Sequence, residues 1–142
     1  MADRKSVTVE LRLALRAPLL ALGFEGKFPN YRKRIGVVQA FLMVMFDRYG
    51  GAFYIEVGFL SETEIESLIR AWTQAGTPLV EDQLTCAHCR TRLRLVAPSG
   101  GDWFNFSAKG PGAGDVAVSR QVAEQAAEAV KNQLEDLISV HA

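Results

Sequence analysis

Histidine and cysteine are scarce in this chain, two of each in 142 residues, and the shortage narrows the chemistry it can offer. Ser-His or Cys-His catalysis would have to rest on His88, since the other histidine, His141, is the penultimate residue. Two cysteines three residues apart make no disulfide framework of the kind that holds small secreted folds together. Long apolar runs are missing near the start: Arg12 and Arg16 interrupt Leu11 to Leu22, so neither a signal-peptide core nor a membrane span fits there. Net charge is missing too. Sixteen basic and sixteen acidic side chains cancel, which removes any bulk attraction to nucleic acid or anionic lipid and leaves only local charged sites. The expected location is the cytoplasm, with no membrane partner and no cofactor.

What is present is an ordinary globular composition, 49% hydrophobic and 23% charged, at a length that suits one domain over residues 1–142. Residues 7–22 place Val9, Leu13, Arg16/Ala17 and Leu20 at helical spacing, with Glu10, Arg12 and Arg16 on a partly polar side. Pro18 is expected to kink that helix or to end its first half. Gly23 followed by Phe24 reads as the stop after its last turn. From Tyr31 the period becomes extended. Tyr31–Ile35 reads as a short polar strand and Gly36 as a turn, followed by a long strand over residues 37–47 that is apolar on both sides. Arg48-Tyr49-Gly50-Gly51 turns it into a partner strand, Ala52–Leu60. Ser61-Glu62-Thr63-Glu64 is a capping box opening a helix that carries Ile65, Leu68, Ile69 and Trp72 on one face. Arg90–Val96 alternates as a strand, Pro98-Ser99-Gly100-Gly101 turns, and Asp102–Phe106 forms a last short strand. Lys109–Gly114 reads as a glycine-rich connector, and Val122, Ala126, Ala129/Val130, Gln133/Leu134, Leu137 and Ile138 mark a closing amphipathic helix.

These pieces imply an α+β fold: an antiparallel sheet of about four to five strands with the N- and C-terminal helices packed on it. The two-faced strand at residues 37–47 belongs in the middle. Its second face needs a cover, from the helix after Ser61 or from a partner subunit.

Several side-chain groups qualify as candidate sites. Cys86-Ala87-His88-Cys89 has thiols at zinc-ligand spacing, but a structural site needs four ligands and His88 is badly placed to close the same tetrahedron. The pair leads into a strand, not a helix, so structural cysteines are the expectation. Arg90, Arg92 and Arg94 at i, i+2, i+4 would line one face of a strand and could hold an anion. The competing reading is that they pair across the sheet with carboxylates such as Glu56 and Asp47. Lys27, Arg32, Lys33 and Arg34 read as a solvated edge. Trp72 and Trp103-Phe104 read as core or interface anchors. The binding residues that result are Arg90, Arg92, Arg94, Glu56 and Trp103. No catalytic or metal residue is assigned.

Leu19-Leu20-Ala21-Leu22-Gly23-Phe24, Gly36-Val37-Val38-Gln39, the run from Gly51 to Gly58, then Cys86, Arg92-Leu93 and Asp102-Trp103-Phe104 together resemble the bacterial domain-of-unknown-function family numbered 4304, over roughly residues 10–138. The resemblance implies a fold and carries over no catalytic residue. The two-faced apolar strand, in a chain with no reagent cluster, makes a non-enzymatic protein-interaction module the leading expectation, homodimeric or immunity-like, with a protein partner or a second copy as its ligand. Anion or nucleic-acid binding through the arginine row is the alternative, although nucleic acid is not the expected partner. A small enzyme built on a carboxylate or on His88 is the third reading.

Overall fold

A computed structural model describes residues 2–107 and 115–142. The connector expected at Lys109–Gly114 lies outside the described residues. In chain order the elements are α1 (Arg4–Ala21), β1 (Glu25–Lys27), β2 (Asn30–Ile35), β3 (Val38–Phe46), β4 (Ala52–Ser61), α2 (Glu62–Gln74), β5 (Arg92–Arg94), β6 (Phe104–Asn105) and α3 (Asp115–His141). Two short 3-10 turns, Glu81–Gln83 and Cys86–His88, sit between α2 and β5. The sheet is antiparallel in the order β1-β2-β3-β4-β5, and β6 pairs with the same edge of β4 as β5 does. This is the expected α+β fold.

The β3–β4 hairpin is its spine. Nine consecutive cross-strand pairs run from Val38↔Ser61 to Phe46↔Phe53. Gly50 and Gly51, with φ of +81° and +84°, close the turn in a conformation that L side chains rarely adopt. Because side chains alternate, Ala40, Leu42 and Val44 share one face with Phe53, Ile55 and Val57, and α1 and α3 pack side by side over it. Phe53 and Phe104 stack there with centroids 5.2 Å apart.

α1 buries Val7, Leu11, Leu15 and Leu19, side chains that each contribute about 1.5–3 kcal/mol when removed from water. The face expected inward is therefore the outer one: Val9, Leu13 and Leu20 are all exposed. Both rows are apolar at i, i+4 spacing, and the sheet selects the one with leucine at every position after Val7. Pro18 lies inside the helix instead of ending it. The stop at Gly23 is as expected. Its N–H bonds the Leu20 carbonyl at 3.0 Å, the Phe24 N–H bonds that of Leu19 at 2.9 Å, and φ at Gly23 is +84°.

The second face of the hairpin is covered by the chain itself. Phe41, Met43 and Leu60 pack against Ile65 of α2 and against Leu79, Leu84, Cys86 and Cys89 from the irregular segment that follows it. α2 starts at the expected capping box: the Glu64 N–H donates to Ser61 Oγ at 3.1 Å and the Ser61 N–H to Glu64 Oε1 at 3.0 Å. Of the basic group, Lys27 is exposed on the edge strand β1 as expected, but Arg32 and Arg34 lie on the inner strand β2 and are paired. Arg34 pairs with Glu62 at 2.7 Å and with Glu81 at 3.5 Å, and Arg32 pairs with Asp82 at 3.2 Å, tying α2 and the first 3-10 turn to the sheet.

Two strand expectations need correction. The strand expected over Arg90–Val96 covers only Arg92–Arg94, because the turn at Cys86–His88 and the bend after it keep Arg90 off the ladder. It also forms no hairpin with the last strand. β5 pairs with Glu56–Gly58 and β6 with Ala52–Phe53, so both run the same way along one edge of β4. An excursion through the Ala97–Gly101 turn interrupts what is otherwise one strand.

Candidate functional site

Four of the five expected binding residues come together at the edge where β4 meets β5. Cross-strand register places Glu56 opposite Arg94 and Gly58 opposite Arg92, so these side chains project from the second face. The Glu56 side chain is only 8% exposed. Its carboxylate lies 3.5 Å from Arg92 Nη1 and 3.7 Å from Arg94 Nε, and Asp102 approaches Arg94 Nη1 at 3.6 Å. Pairing with Glu56 is the cross-strand neutralisation anticipated for the arginine row, while Asp102 takes the place expected of Asp47. A buried carboxylate requires such a counter-charge. All three contacts are long, and Glu56 Oε1 has no hydrogen-bond partner among the described residues. The arginines neutralise the carboxylate without committing their N–H donors to it.

Arg94 does more than balance charge. Its guanidinium carbon lies 3.8 Å from the Tyr54 ring centroid and 5.8 Å from that of Trp103. The two rings meet edge to face with centroids 5.0 Å apart. Trp103 is 41% exposed, and Met45, the cross-strand neighbour of Tyr54, is 38% exposed. The outcome is a surface patch of Trp, Tyr, Arg and Met, held in one arrangement by stacking and by ionic contacts from below. Arg90 is not part of it and lies instead with His88 on the wall of a separate cavity beside α2.

Directly beneath, Cys86 and Cys89 are free and buried. Both sulfurs converge on Gly58: a Cβ placed there would lie 2.7 Å from Cys89 Sγ and 3.2 Å from Cys86 Sγ. The hydrogen bond that the Cys86 S–H donates to the Cys89 sulfur, then burial, push the Cys86 thiol far above the ordinary range, so it stays protonated. That suppresses the thiolate that nucleophilic or metal-binding chemistry needs. Among the described residues no three His, Cys, Asp or Glu side chains are grouped so as to hold a metal ion.

Tyr54 and Asp102 were not singled out by sequence reasoning. Tyr54 had a usable signal, since it shares strand parity with Glu56. Asp102 had none, because its approach to Arg94 depends on the non-local pairing of β5 and β6 with one edge of β4.

No helix among the described residues is long and apolar enough to cross a membrane. Neither the curated proteins nor the solved structures returned a match to the chain. A family profile matches residues 15–140, which include the whole β-sheet, α2 and the patch. On that match the chain belongs to the family described as Domain of unknown function (DUF4304).

Proposed function

We propose that this chain is a non-enzymatic protein-interaction module that docks an acidic, apolar-anchored segment of a partner protein on the Tyr54–Arg94–Trp103 patch. The observation that carries the reading is the exposed stack itself, with Arg94 3.8 Å from the Tyr54 centroid and Trp103 edge-on to the same ring. Trp, Tyr and Arg are enriched at binding hot spots, the two rings because they bury much area at little conformational cost and Arg because its fork binds carboxylates in bidentate fashion. Here that cost is reduced in advance, since the rings and the guanidinium already hold one another.

The acidity of the partner follows from the donors. Arg92 and Arg94 face Glu56 and Asp102 only through contacts of 3.5–3.7 Å, which leaves N–H groups able to grip a carboxylate in bidentate fashion. The same neutralisation argues against a polyanion, because two arginines against two carboxylates provide little excess field for a nucleic-acid backbone. A bacterial origin, a cytoplasmic location and an immunity-like or accessory role belong to this reading as its biological setting.

The test is selection of a random peptide library on the full chain, with counter-selection on Trp103→Ala. The reading expects enriched peptides that pair Asp or Glu with a large apolar residue and that lose binding to Arg94→Gln. Peptides insensitive to both variants would overturn it. So would a dimer in light scattering that Trp103→Ala dissociates, or labelled RNA binding that Arg92→Ala with Arg94→Ala abolishes.

A further inference from the structure

Between α2 and the segment around the second 3-10 turn lies a cavity of about 380 Å³ whose chemistry is separate from that of the patch. Its volume falls in the lower part of the range for small-molecule sites, about 300–1,000 Å³. Leu60, Leu68 and Ala71 give it an apolar wall, and His88 and Arg90 supply the polar end. We propose that this cavity binds a small monocarboxylic acid, its aliphatic or aromatic tail against Leu60, Leu68 and Ala71 and its carboxylate on Arg90 and His88.

The Thr63 and Ser67 hydroxyls also line the cavity, and the geometry defines the states of His88 and Glu64. The Thr85 backbone N–H donates to His88 Nδ1 at 3.0 Å. The neutral imidazole therefore carries its proton on Nε2, where it serves as a donor. Trp72 stands edge-on to that ring, with centroids 6.1 Å apart, and fixes its plane. Glu64 also lines the cavity, but its carboxylate accepts the Ser61 N–H at 3.0 Å in the capping box. Arg90 has no carboxylate within ion-pair distance among the described residues. A guanidinium that is exposed and unpaired among the described residues and one N–H donor two residues apart suit a single carboxylate group. The apolar wall selects against hydrophilic diacids, which would have to place a second charge on leucine.

This cavity does not include Tyr54, Arg94 or Trp103, so its test is independent of the partner-docking reading. The probe is 4-phenylbutyrate titrated into the full chain at millimolar concentration, with 4-phenylbutyramide as the neutral control. Binding is followed through the Trp72 indole N–H and His88 ring resonances. The inference expects both residues to shift with the acid, the amide to bind at least about tenfold more weakly, and Arg90→Gln to remove that difference. Ala71→Trp, which fills the cavity, should abolish both titrations. Equal affinity for acid and amide, an Arg90→Gln variant that still discriminates, or shifts that persist in Ala71→Trp would overturn it.

Discussion

Replacing Gly58 by alanine would place a methyl group where two sulfurs already converge. A Cβ at that position lies 2.7 Å from both Cβ and Sγ of Cys89 and 3.2 Å from Cys86 Sγ. The Cys89 Cβ is fixed to its backbone, so the 84–89 segment must lift off the sheet or β4 must yield. Overpacking of this kind costs about 1–3 kcal/mol. The gain from restricting the unfolded chain, about 0.4–1 kcal/mol, offsets part of it. The net expectation is a loss of about 1–2 kcal/mol, read as a fall in Tm of about 3–7 °C for a domain of this size. Thermal and urea unfolding measure it. A double-mutant cycle with Cys89→Gly locates the cause, because that change removes both atoms at 2.7 Å and should relieve most of the Gly58→Ala penalty. Gly58→Ala as stable as the natural chain, or a penalty that Cys89→Gly leaves unchanged, would show that this segment does not seat on the second face as described.

Three further outcomes follow from the same geometry. In the folded chain Cys86 and Cys89 should resist Ellman's reagent at pH 8, whereas both should react in denaturant; two fast native thiols would contradict the burial and the raised Cys86 thiol. Glu56→Gln removes the charge that faces Arg92 and Arg94 and should cost about 1–2 kcal/mol in urea unfolding. That is less than a fully buried pair would lose, because both arginines are partly exposed. Burial raises the Tyr31 phenol above its ordinary value, with Arg12 opposing the shift. Its neutral form is the one the fold favours, so the stability it confers is complete below the unfolded value near 10 and declines as pH rises beyond it. Absorbance of the phenolate against pH, compared with Tyr31→Phe, should show a group ionising later than a free tyrosine.

Much of the fold was legible in local chemistry. The Ser61–Glu64 capping box, the Gly23–Phe24 stop, the Gly50–Gly51 turn and the buried row of α3 at Val122, Ala126, Val130 and Leu134 are each short-range signals, and each appears where the sequence places it. The orientation of α1 was not legible. Val9, Leu13, Ala17 and Leu20 also make an apolar stripe, and packing against the sheet and α3 selects the bulkier row of Val7, Leu11, Leu15 and Leu19. The second cover of β3 was half legible: Ile65 lies on a periodic helix, but Leu79, Leu84 and the two cysteines lie on a segment with no period to read.

The expected binding residues divide along the same line. Glu56, Arg92 and Arg94 obey the alternation of a strand ladder, so their meeting could be anticipated from spacing. Arg90 fits the same alternation on paper. The hydrogen bonds of the 3-10 turn, from the His88 N–H to the Thr85 carbonyl and from the Cys89 N–H to that of Cys86, draw the preceding chain out of extension before the ladder begins. Trp103 reaches Tyr54 because β5 and β6 share one edge of β4, a pairing that the Pro98–Gly101 turn disguises as a hairpin.

The central claim is that the sheet is closed on both faces by its own chain and that the remaining exposed stack of Tyr54, Arg94 and Trp103 is where a partner docks. The most direct measurement is calorimetric titration of one library-selected acidic peptide into the natural chain and into Arg94→Gln, with Tm recorded for both. The account predicts at least a tenfold loss of affinity, about 1.4 kcal/mol, at nearly unchanged Tm. Equal affinity for the two proteins would contradict it.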